Sequence, residues 1–134
     1  VIRVHRYGMG VSMPVPFQRA LEVVTEALKA EGFGIVSQID VRHTLKEKLG
    51  LETSNYMILG ACNPHLAHRA LTAEQNIGLL LPCNVIVYES DGGTEVQIQD
   101  PEIMSSVAGN AQLAPIAAEA KDRLLKVLRS LEAE

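Results

Sequence analysis

The sequence predicts an α+β domain, a sheet of about five strands covered by helices, and three observations carry that prediction. Short runs with apolar residues at every second position alternate with stretches in which apolar residues recur at helical spacing. Two of the strand-like runs are joined by "SDGG", a hairpin signal of the Asp-Gly kind. The resulting order is strand, helix, strand, strand, helix, strand, strand, helix, which favours an α+β sheet over a doubly wound parallel one. At 134 residues, 47% of them hydrophobic, the chain suits a single domain over 1–134. No linker, repeat or low-complexity tract divides it.

In "VIRVHRYGMGVSM", Ile2 and Val4 are apolar on even positions and Met9, Val11 and Met13 on odd ones, so a bulge or bend near Tyr7 and Gly8 is expected in one long strand. The next stretch is a helix: Phe17, Ala20, Leu21, Val24, Ala27 and Leu28 fall on one side, Pro16 stands near its start and Gly32 ends it. "FGIVSQID" reads as a strand with Phe33, Ile35 and Ile39 on one face. "DVRHTLKEKLG" reads as a short helical or irregular connection with Val41, Leu45 and Leu49 inward. "NYMILGA", apolar on both faces, suits a central strand. Asn63 then caps a helix that has Pro64 at its first position and runs to about Gln75.

The strands "NVIVYE" and "TEVQIQD" form the predicted hairpin, the second half solvated because Val96 and Ile98 alternate with Glu95, Gln97 and Gln99. "DPEIMSSVAG" reads as a short helix capped by Asp100 and closed by Gly109. The last helix, from about Pro115, carries a continuous stripe of Ile116, Ala117, Ala120, Leu124, Val127, Leu128 and Leu131. Ile35, Ile58, Val85, Val87, Ile98, Leu124 and Leu128 are expected in one core.

Charge and motif content exclude several classes of function. Twelve basic and sixteen acidic side chains give a net charge of −4, and no basic cluster is interleaved with aromatics, so nucleic acid is not an expected partner. The longest apolar run, "IGLLLP", is far short of the ~20 residues that span a bilayer, so no membrane is expected and a cytoplasmic location is the default. "GMGVSM" fails as a dinucleotide fingerprint because Met13 stands at the third glycine position and no helix opens there. Gly8, Gly10 and Ser12 instead offer a strand face with almost no side chain, suited to close packing. Phosphate-loop, nucleophile-elbow and His-Glu-x-x-His patterns are missing.

"GACNPHLAHRAL" sets a cysteine and two histidines at successive spacings of three. The helix after Pro64 turns Leu66, Ala67, Ala70 and Leu71 inward, which leaves His65, His68, Arg69 and Thr72 on the solvent side. A converging metal site is therefore not expected. His5 and His43 are read as solvated. Cys62 lies just before a helix N-terminus, where a thiolate is stabilised, and Cys83 in "LPCN" is a second free thiol. Cys62, Asn63, Cys83 and Asn84 are the candidate ligand-binding residues. No catalytic residue, metal or cofactor is assigned.

A helical connection of this length commonly joins parallel strands, which would place Cys62 and Cys83 on the order of 15 Å apart at opposite edges of the sheet. An antiparallel pair would instead bring both to one edge, together with Asn63 and Asn84.

"LKEKLG", "ILGACNPHLAHRAL" and "GLLLPCNVIVYES" resemble the pattern of the domain of unknown function 302 family, over a span from the "SMPVPFQRAL" helix start to the strand ending in "QDP". Asn63-Pro64 and Gly78 to Asn84 are its most specific parts. The resemblance implies a curved, mostly antiparallel sheet packed on a long C-terminal helix, similar to TATA-binding-protein-like or ferredoxin-like topologies. It implies no catalytic residue. Generous apolar patterning without catalytic signatures points to a non-enzymatic binding or regulatory module for a small apolar or amphipathic ligand or a protein partner. The alternative is a thiol-based redox enzyme, or a sulfur- or metal-handling protein, using Cys62 and possibly Cys83. Apolar surface in excess of what one sheet face can cover predicts a homodimer.

Overall fold

A computed structural model describes residues 1–133, and in it the first thirteen residues fold back on themselves rather than bend. Strand β1 (Arg3–Val4) pairs antiparallel with β2 (Gly8–Met13), Arg3 opposite Gly10 and Val4 opposite Met9. The His5 N–H donates to the Gly8 carbonyl at 2.8 Å to close the turn. The parity change predicted as a bulge in one long strand is thus a chain reversal, and it raises the strand number from five to six.

Helix α1 (Phe17–Ala30) buries Phe17, Ala20, Val24 and Leu28. It stops where Gly32 takes φ +85°, a left-handed conformation open to glycine. Strand β3 (Gly34–Asp40), α2 (Val41–Leu49), β4 (Tyr56–Cys62) and α3 (Pro64–Ala73) follow. A 3-10 segment (Gln75–Leu80), β5 (Cys83–Ser90) and β6 (Gly93–Gln99) come next, then α4 (Pro101–Ala108), a 3-10 turn (Ala111–Leu113) and α5 (Ala114–Glu132). The sheet order is β1-β2-β6-β5-β4-β3, and every ladder is antiparallel. Among the described residues no two strands pair in parallel, so the sheet holds no parallel strand-helix-strand unit of the ferredoxin-like kind. What remains is a two-strand hairpin, one helix, a four-strand meander with helical connections, and a short helix before the long closing one.

One face of the sheet carries Met9, Val11, Met13, Leu59, Ala61, Val85, Val87, Val96 and Ile98 against α1 and α5. The stripe predicted for α5 is buried at all seven positions. One predicted core residue, Ile58, falls elsewhere, and so does Ile39, which was expected on the face of Phe33 and Ile35. A bulge between Ile35 and Ser37 flips the parity of β3, so Ile35 stays partly buried against the core while Ile39 turns to the other face, half exposed. Ile58 pairs with Ile39 and Ile86 and lies on that second face. The connection after β3 is helical, but Leu49 is exposed and α2 buries no residue fully, contrary to the inward placement expected of Val41, Leu45 and Leu49.

The glycines of β2 are explained by close packing. A Cβ at Gly8 would collide with the Ile98 carbonyl of β6, and one at Gly10 with the Gln97 side chain, which occupies that space.

Candidate functional site

The site begins with how the chain leaves and re-enters the sheet beside Cys62. Asn63 ends β4 in extended conformation, and its Oδ1 accepts the Leu66 N–H at 3.2 Å, capping α3 with Pro64 at the first helical position. Ten residues of α-helix rise ~15 Å. The six-residue 3-10 segment covers ~12 Å. The register shows the two excursions nearly cancel, because Ala61 pairs with Cys83 and Gly60 with Asn84 in an antiparallel ladder. The connection is an out-and-back excursion, not a crossover, and the predicted separation of the cysteines is overturned. Both thiols are free and lie at one end of the β4–β5 pair.

Between this sheet end and the helices lies a cavity of about 290 Å³. Cys62, Asn63 and Cys83 line it, with Leu66 and Ala70 from α3, Met104 from α4 and Ile116 from α5. Its surface is almost wholly apolar and it is open on one side, where Val36, raised by the β3 bulge, and Leu71 remain exposed. Salt bridges tie its helical walls together. Arg69 of α3 meets Glu119 of α5 at 3.0 Å, and Lys121 of α5 meets Asp100, the cap of α4, at 3.1 Å. The Arg69 guanidinium, as hydrogen-bond donor and charge, holds the Glu119 carboxyl below its ordinary range. These pairs are partly or largely exposed and fix geometry more than they stabilise the fold.

The electrostatics of the two thiols follow from these surroundings. Burial pushes the Cys83 thiol up to about 11, and the neighbouring Cys62 adds to the rise. At neutral pH Cys83 is a protonated, weakly nucleophilic thiol.

Three of the four candidate residues are therefore brought together. Asn84 is exposed on the opposite sheet face, where it lines a shallower concavity with His5, Ile86 and Gln97. His65 and His68 are exposed on α3, and no group of three or more His, Cys, Asp or Glu among the described residues is placed to hold a metal. Sequence reasoning missed Val36, Met104 and Ile116 as cavity residues. Ile116 was legible only as helix core, and nothing in the sequence marks the bulge that exposes Val36.

Comparison with known proteins agrees with this architecture. The family described as "Domain of unknown function DUF302" matches residues 9–131. A crystal structure of an uncharacterized conserved DUF302 protein from Bacillus stearothermophilus is similar at 32% identity and a TM-score of 0.85, covering 93% of this chain and 98% of that one. No curated protein matches. The chain belongs to the DUF302 family.

Proposed function

We propose that this DUF302 member is a binding module whose cavity beneath α3 holds a small apolar or amphipathic ligand, with Cys62, Asn63 and Cys83 among its contacts. The carrying observation is the cavity itself, about 290 Å³ with carbon and sulfur walls and one open side. An apolar cavity of ~150 Å³ accepts benzene. Roughly twice that volume suits a fused pair of rings or a short acyl chain, its polar end at the mouth. Asn84 enters this reading only through the outer concavity. Two reduced thiols support the cytoplasmic setting. The test is a fluorescence titration with 1-naphthol: saturable one-to-one binding is expected, abolished by Ala67→Phe, which fills the cavity from α3. Binding that does not saturate, or that survives the filled variant unchanged, rejects the cavity as a ligand site.

A thiol-based activity is the second reading, favoured by the register that brings Cys62 and Cys83 to one cavity. It ranks lower because a Cys83 thiol raised to about 11 is a poor nucleophile at pH 7. The uncovered sheet face supports a homodimer. Tyr56 and Tyr88 stack there at 5.3 Å beside the half-buried Ile58 and Ile86, a surface that a second copy would cover. Sedimentation at micromolar concentration should give twice 14.5 kDa, and a clean monomer rejects the pairing.

A further inference from the structure

We propose that the ligand of this cavity is a neutral carbonyl compound, an apolar body whose oxygen accepts a hydrogen bond from the side-chain amide nitrogen of Asn63. The inference rests on the ligand reading above and names the chemical class that the site selects.

Three observations carry it. The first is an imbalance in how buried polar groups are satisfied. Asn63, 7% exposed, and Thr94 are the buried polar side chains among the described residues. The Thr94 hydroxyl donates to the Val15 carbonyl at 2.8 Å. Asn63 is satisfied at its oxygen alone: Oδ1 accepts the Leu66 N–H at 3.2 Å, and Nδ2 donates to no group among the described residues. The capping bond fixes which end is which, because the reversed amide would set two donors against each other.

The second observation is the setting of that nitrogen. Gly32 backs it, where a Cβ would lie 2.9 Å away, and the Glu31 carbonyl on that side already accepts from Arg123 at 3.3 Å. The nitrogen is not sealed in, since no fully enclosed side-chain nitrogen or oxygen among the described residues lacks a partner. The cavity that Asn63 lines is the space open to it. Third, the residues lining that cavity include no Lys, Arg or His.

Together these define the ligand's chemistry. A buried amide donor without a partner is unfavourable, so a ligand that brings an acceptor gains over the same apolar body without one. An ionised carboxylate would accept the bond too, but its charge would sit among carbon and sulfur walls with no cation to offset it. A ketone, aldehyde or ester oxygen accepts the same bond without that cost. The donor is preset, because the cap holds the amide while its nitrogen stays free. Polar groups at the mouth meet water; this oxygen meets protein.

The test compares 1-tetralone with tetralin, fused-ring molecules that differ by one ketone oxygen, by titration calorimetry on whole wild type and Asn63→Asp. Aspartate keeps the capping oxygen and removes the N–H donor. The ratio of 1-tetralone to tetralin affinity should fall roughly tenfold in the variant. In isotope-labelled wild type, the assigned side-chain amide proton signal of Asn63 should move downfield with 1-tetralone and not with tetralin. 1-Naphthoate should bind wild type more weakly than 1-tetralone, and tighter binding overturns the neutral class. A ratio unchanged by Asn63→Asp, or an amide signal indifferent to the ketone, overturns the contact and leaves the ligand reading standing. Should the variant not fold, the wild-type signal decides alone. Failure of wild type to bind either fused-ring molecule saturably overturns the ligand reading and this inference together.

Discussion

Raising the pH across the range in which Cys83 ionises tests the electrostatics of the cavity directly. With its thiol at about 11 instead of the ordinary 9.0, the thiolate fraction of Cys83 at pH 8 falls from roughly 10% to roughly 0.1%. Alkylation by iodoacetamide, which consumes the thiolate, should then be about a hundredfold slower at Cys83 in the folded protein than in urea. The assay is timed alkylation between pH 7 and 11, read per cysteine by peptide mass spectrometry. The midpoint of the rate profile separates two causes of slowness. Burial of charge moves the midpoint toward 11, whereas steric shielding lowers the rate with the midpoint left at the ordinary value, an outcome that would refute the reasoning. Stability should follow the same shift. The thiol is raised on folding, so the unfolded chain gives up its proton first as pH climbs. The contribution is complete below about pH 9 and is lost between there and about 11, a fall on the order of 2–3 kcal/mol at ~1.4 kcal/mol per unit. A urea midpoint that does not move over that interval counts against it.

Leu124→Ala removes a side chain with no exposed surface from the middle of α5 and should cost ~2–5 kcal/mol, lowering the melting temperature by about 10 °C; a loss well under 1 kcal/mol would make α5 peripheral. Asn63→Ala deletes the α3 cap and should cost ~1–2 kcal/mol in urea denaturation, with Asn63→Asp recovering most of it. Gly8→Ala should destabilise far more than Gly10→Ala, because the first meets the Ile98 backbone and the second only the movable end of Gln97; equal melting temperatures for the two would contradict the β2–β6 packing.

What could be read from sequence was whatever a single element decides alone. The α5 stripe, the Asn63-Pro64 and Asp100-Pro101 helix starts and the Asp91-Gly92 hairpin are local, and each stands where its residues indicated. Features that depend on how elements meet were not legible. Ile35 and Ile39 share a parity, and only the pairing of β3 with β4 reveals the extra residue that puts them on opposite faces. The length of the segment between β4 and β5 matched a crossover, and its direction is set by how the 3-10 segment doubles back along α3. Half of the candidate site depended on that direction. Cys62 and Cys83 were visible as residues, but their shared cavity was not, since its walls come from five separate stretches of the chain.

The sheet order also sets a timetable for synthesis. Strand β2 pairs along its whole length with β6, Gly8 opposite Gln99, and that partner leaves the ribosome about 90 residues later, a wait on the order of 5–18 s at ordinary elongation rates. Meanwhile β3, β4, β5 and β6 emerge in the order in which they pair, so the meander can assemble as it is made. Met9, Val11 and Met13, all fully buried in the end, spend that interval without their strand partner, and the nascent chain is most open to chaperone capture or wrong pairing at its first apolar strand.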